Sequence, residues 1–122
     1  MNIIISNSSD KPIYEQITAQ IKDLDLNGEL KEGDLLPSMR TLAKELRISV
    51  ITTKRAYEDL ERDGFITTVV GKGSFIRAAD IRLVREEKLK QIEDLLSKAI
   101  FLARQSAIGR EEIEEMIEII YQ

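Results

Sequence analysis

Apolar residues recur at helical spacing from the second decade of the chain. Ile13, Ile17, Ile21 and Leu24 step by three or four, so one stripe of a helix starting at Pro12 is apolar. Asn27-Gly28 and Glu32-Gly33 break that helix, and Leu35-Leu36 reads as a short buried strand stopped by Pro37. Ser38 is placed to cap a short helix, Met39 to Leu46, with Leu42, Ala43 and Leu46 inward. Arg47-Ile48 forms a turn. Ser49 then caps a longer helix that runs to about Asp63, with Gly64 at its C-terminal end. After Gly64 the period changes from helix to strand. FITTVV is rich in β-branched residues, GKG follows, and SFIRA resumes the extended pattern. The first nine residues read as a polar or extended tail.

Helix, helix, turn, helix, hairpin is the order of a winged helix-turn-helix. From Asp80 the seam changes again. Leu89, Ile92, Leu96, Ala99 and Ala103 alternate steps of three and four, and Leu95, Ile100 and Leu102 widen the stripe. Gly109 interrupts it. Glu111 and Glu112 fall in a new first turn, where the helix dipole favours acids, and Ile113, Met116, Ile117 and Ile120 form a second stripe. The stripe on the longer helix is wider than one neighbouring helix covers, which predicts pairing with a second copy. The expected fold is mainly α with a small β-hairpin. A winged helix-turn-helix over 11–78 is followed by a two-helix dimerisation segment over 79–122.

Composition narrows the function. The chain has neither cysteine nor histidine, so no thiolate, Ser–His or Cys–His nucleophile can be built. No catalytic residue, metal ligand or cofactor is assigned. No apolar run approaches the length of a bilayer span, and the N-terminus has no early basic residue of a leader, so a cytoplasmic location is expected. The net charge of −4 argues against nucleic acid only until its distribution is read. Between Leu36 and Ala56, Arg40, Lys44, Arg47, Lys54 and Arg55 face a lone Glu45. Between Glu111 and Gln122 every charge is acidic.

On a helical wheel, Thr53, Ala56, Tyr57 and Leu60 share one side of the third helix and make its core face. The opposite side carries Ile51, Lys54, Arg55 and Glu58, with Arg62 further along, and Ser49 and Val50 lie at the N-terminal end. A helix in a major groove has this form: cations for phosphates or guanines, small apolar groups for thymine methyls. The stretch VVGKGSF invites comparison with a phosphate-binding loop. That loop needs its first glycine five residues before the glycine–lysine pair and a helix after it, and neither is present. Gly71 and Gly73 suit a tight turn, and Lys72 between them suits a wing tip that meets a phosphate or enters the minor groove.

PIYEQI, LPSMRTLAKEL, TTKRAYEDLERDGFI and GKGSF, in that order, resemble the N-terminal winged helix of the GntR family of bacterial transcriptional regulators. The short C-terminal part is similar to the YtrA-like branch, in which two helices make a homodimer. The resemblance implies a sequence-specific DNA-binding regulator, most simply a repressor occupying a near-palindromic operator. It implies DNA contacts at Arg40, Ser49, Ile51, Thr52, Lys54, Gly71, Lys72 and Gly73; Val50 and Arg55 join them from the wheel. With the homodimer it implies, the two apolar stripes read above become the expected dimerisation residues: Leu89, Ile92, Leu96, Ala99, Ala103, Ile113, Met116, Ile117 and Ile120. Two positions depart from the pattern: Val50 stands where a base-reading arginine is common, and Arg47 replaces the turn glycine. The partners expected are an operator duplex and a second copy of the chain, with no membrane; a small-molecule effector stays open. A winged helix used only for protein–protein contact is the alternative.

Overall fold

The computed structural model describes residues 1–78 and 80–122. It contains α1 (Ile13–Leu26), α2 (Met39–Leu46), α3 (Val50–Arg62), β1 (Ile66–Val69), β2 (Gly73–Ile76), α4 (Ile81–Gln105) and α5 (Arg110–Ile120). The chain falls into two compact units, Met1–Val84 and Arg85–Gln122. The boundary read from the sequence, between 78 and 79, falls on Ala79, which lies outside the described residues.

In the first unit α1, α2 and α3 close around Ile17, Ile21, Leu42, Tyr57 and Leu60, all essentially without solvent contact. β1 and β2 pair antiparallel, with Ile66 opposite Ile76 and Val69 opposite Gly73. Ile66 and Ile76 are the buried ends of this hairpin and join it to the core. The predicted Leu35-Leu36 strand is realised as a single bridge from Leu35 to Phe75. Leu36 N–H donates to Ser74 O at 2.9 Å, Ile76 N–H to Asp34 O at 2.9 Å and Gly33 N–H to Ile76 O at 2.8 Å. Only Leu36 of the pair is buried; Leu35 is exposed, because alternate residues of an extended segment face opposite ways.

Helix α1 begins one residue later than the sequence predicts. Pro12 is its cap, and its carbonyl accepts from the N–H groups of Glu15 and Gln16. The first six residues belong to no helix or strand and residues 7–9 turn, and part of this segment, expected as a polar or extended tail, is docked. Ile3 is buried and Ile5 packs on the same core. Gln20 brackets the Ile4 peptide, accepting from its N–H at 2.8 Å and donating to its carbonyl at 2.7 Å. One turn earlier Gln16 does the same to Ser6, at 2.8 and 2.9 Å, and also donates to Lys11 O.

Two helices end in Schellman motifs on residues other than glycine. At the end of α2, Ile48 N–H reaches Ala43 O at 3.0 Å and Arg47 N–H reaches Lys44 O at 3.3 Å. Arg47 occupies the left-handed position, φ 57° and ψ 48°. That conformation disfavours a side chain by about 1–2 kcal/mol, offset in part by the extra backbone entropy glycine loses, about 0.5–1 kcal/mol. Arg47→Gly is therefore expected to raise the thermal midpoint by roughly 2–8 °C. A midpoint that stays or falls in a melting scan contradicts this account. In the second unit α4 ends the same way, with Ala107 at φ 55° and Ile108 N–H bonded to Ala103 O at 2.9 Å. The break expected at Gly109 thus comes two residues earlier. Gly109 instead caps α5 in an extended conformation, at φ −83°.

Candidate nucleic-acid interface

Helix α3 is fixed to the start of α2 by its inward residues. Thr53 Oγ1 shares its one proton between Met39 O of α2 (3.0 Å) and Val50 O of its own helix (2.8 Å), and the Tyr57 hydroxyl donates to Pro37 O at 2.6 Å. Burial, with the Glu45 carboxylate adding to it, pushes the Tyr57 hydroxyl well above the ordinary phenol range, so it remains a donor. Ser38 Oγ accepts from Thr41 N–H at 3.1 Å and starts α2, which places Arg40 in the first turn with its side chain exposed. The inward face of α3 (Thr53, Ala56, Tyr57, Leu60) is the one read from the wheel, and all four are buried.

The outward face is open. Ser49 Oγ accepts from Thr52 N–H at 3.1 Å, and the two hydroxyls lie 2.9 Å apart, so both are engaged in the cap. Val50 is exposed beside them, and Ile51 is 80% exposed, an unusual outlay of apolar surface for a helix with no further layer over it. Lys54 Nζ is 3.9 Å from Glu58 Oε1, and both side chains are more than 60% exposed. Such a pair contributes at most about 0.5 kcal/mol and opens readily for a stronger anion. Arg55 is exposed too, but its guanidinium lies over the Tyr14 ring, a contact the wheel does not predict.

The wing turn runs through Val70, Gly71 and Lys72, closed by Lys72 N–H to Val69 O at 2.9 Å. Gly71 and Gly73 have φ of 77° and 115°. At Gly73 a second constraint applies: a Cβ there would lie 2.9 Å from Leu35 Cδ1. Lys72 is exposed at the tip, and Val70, 98% exposed, stands next to it. Arg40, Val50, Ile51, Lys54, Arg55 and Lys72 are thus all exposed side chains of the first unit, carried on α2, α3 and the wing.

Leu89, Ile92 and Leu96 are exposed on α4, as are Met116, Ile117 and Ile120 on α5. Ala99 is exposed, Ile113 is half-buried and Ala103 is buried. Phe101, Ile119 and Tyr121, which the seam does not include, are exposed as well. Among the described residues no cluster of acids could hold a metal ion, and no helix is long and apolar enough to cross a membrane.

The pattern described as bacterial regulatory proteins, gntR family, matches residues 13–76. The HTH-type transcriptional repressor YtrA of Bacillus subtilis (strain 168) is 38% identical over 97% of this chain and 91% of its own. A solved transcriptional regulator from Oenococcus oeni superposes with a TM-score of 0.74 at 28% identity, covering 97% of this chain and 98% of that one. YtrA from Sulfolobus acidocaldarius, a GntR-family transcription factor, gives 0.63 at 35% identity over 80% of this chain and 96% of that one. With its winged helix and the motifs that build it, the chain belongs to the gntR family of bacterial regulatory proteins and is a DNA-binding transcriptional regulator.

Proposed function

We propose that the chain is a cytoplasmic repressor that binds a near-palindromic operator as a homodimer, without catalytic chemistry of its own. The observation that carries this reading is the contrast across α3. One face is wholly buried, while the other offers Val50, Ile51 and Lys54 to solvent from a helix pinned to its neighbour. Phosphate contacts from Arg40, Lys54, Arg55 and Lys72 supply affinity and orientation. Ser49, Val50, Ile51 and Thr52 stand where a recognition helix meets base edges, with Val50 and Ile51 suited to thymine methyls. Gly71 and Gly73 let the wing bring Lys72 close to the duplex. The acidic total charge does not oppose this, because the stretch from Leu36 to Ala56, which holds α2 and the first half of α3, carries five cations against the single acid Glu45. The C-terminal segment, 79–122, is where the two copies pair: α4 and α5 leave many large apolar side chains exposed, among them Leu89, Ile92, Leu96, Met116 and Ile120, and a second copy would cover them. Two copies related by a two-fold axis read a site of matching symmetry. Footprinting on DNA upstream of the chain's own gene tests the reading, and protection of an inverted repeat is the expected result. No protection anywhere, with no salt-dependent duplex binding, rejects it in favour of a protein–protein module.

Lys72→Ala is expected to weaken binding to most duplexes by a similar factor, since a lysine on the backbone or minor groove carries little base information. Titrations against an operator and a scrambled duplex check this. Loss of operator binding with scrambled binding intact assigns the wing a base-reading role instead.

A further inference from the structure

Arg55 lies on the outward side of α3, yet its guanidinium is held. Its Cζ stacks 3.8 Å from the centroid of the Tyr14 ring, and Nη2 donates to the Tyr14 hydroxyl at 3.1 Å. The tyrosine comes from the first turn of α1. Its hydroxyl in turn points a proton at the Glu15 carboxylate, 3.4 Å away. Lys54 and Arg62 of the same helix have carboxylate partners, whereas no ion pair forms on Arg55 among the described residues.

We propose that Tyr14 is a positioning residue for DNA: it holds Arg55 in place to bind a phosphate of the duplex backbone beside the recognition helix. The proposal rests on the DNA-binding reading above. An aromatic face and a neutral hydroxyl orient a guanidinium without cancelling its charge, which a carboxylate would do. Of the five N–H donors, the hydroxyl engages one; the others remain for the paired oxygens of a phosphate. An arginine already ordered loses less rotamer freedom on binding than one that must be fixed at that moment. Tyr14 then contributes affinity without touching the nucleic acid, and Arg55 contributes the charge.

The test uses the full chain and a duplex that the wild type enriches from a random-sequence library, titrated across a KCl series. Arg55→Ala is expected to flatten the slope of log K against log salt by about 0.9, the mark of one lost phosphate contact. Tyr14→Ala is expected to leave that slope unchanged, because the charge is still present, and to weaken binding about 2- to 10-fold. Tyr14→Phe keeps the ring and loses only the hydroxyl, so its affinity falls between the two; it also covers the case in which Tyr14→Ala fails to fold. In the Arg55→Ala background, Tyr14→Ala is expected to cost nothing further. A tyrosine that only braces the fold would instead weaken binding equally in both backgrounds, which overturns the proposal. So does a wild-type slope in Arg55→Ala, or unchanged or tighter binding in Tyr14→Phe and Tyr14→Ala. A wild type that enriches no duplex rejects the DNA-binding reading itself.

Discussion

Leu96→Asp is expected to give monomers that hold the operator roughly 10²- to 10⁴-fold more weakly than the wild type. Leu96 sits in the α4 seam between Ile92 and Ala99 and is 47% exposed in the isolated chain. If the seam is covered by a second copy, the substitution puts a carboxylate into an apolar contact, where an unpaired charge is strongly disfavoured. Once the copies separate, each winged helix binds its half-site alone. The second half-site no longer lies at the effective concentration that a tethered partner provides, which accounts for a loss of that size. Because the leucine is half exposed in the single chain, the winged helix should keep its fold, and circular dichroism can establish that. Sedimentation velocity at micromolar concentration, paired with operator titration, decides the matter. Wild-type monomers that occupy a full operator as single copies are the outcome that removes the dimer.

Arg40→Ala and Lys54→Ala are each expected to weaken operator binding about 10- to 100-fold, the range of a charge-assisted contact left unmade. Neither side chain supports the core: Arg40 is exposed in the first turn of α2, and Lys54 has only its loose pairing with Glu58. The melting temperature should therefore stay within a degree or two of wild type while affinity falls. Each variant should also lower the salt slope by about 0.9, and the double variant by about twice that. Wild-type affinity in both single variants would move the phosphate contacts elsewhere on the surface.

Much of the helical frame is legible in the sequence because local rules and burial agree there. Ser38 and Ser49 cap the helices they precede, and Thr53, Ala56, Tyr57 and Leu60 face inward as the wheel requires. The reading fails where a side chain or backbone answers to something outside its own element. A wheel assigns Arg55 a direction from its Cβ, but a long arginine can turn along the helix surface and reach Tyr14 of α1. The turn at Arg47-Ile48 lies where the sequence reading puts it, but an end of α4 read from Gly109 misses Ala107, since the Schellman bond and the half-buried Ile108 beyond it impose the left-handed turn. Gly109 attracts attention as a breaker and turns out to be a cap. The alternation of Ile3 and Ile5, with Gln16 and Gln20 one turn apart, is a signal for the docked N-terminal segment that becomes readable only once the two are placed side by side.

That docked segment makes the start of the chain a reporter on the interior. The Ile4 and Ser6 amides are bonded to the side-chain carbonyls of Gln20 and Gln16; Ile3, just before them, is part of the core, and Ile5, between them, packs on it. For either amide to exchange its proton with solvent, a glutamine must let go, and releasing the segment also withdraws Ile3. Deuterium uptake at these two positions should then follow openings of α1 and its core rather than the rapid fraying common in the first residues of a domain. Ile4 and Ser6 thus offer sites in this segment from which cooperative breathing of the winged helix can be timed.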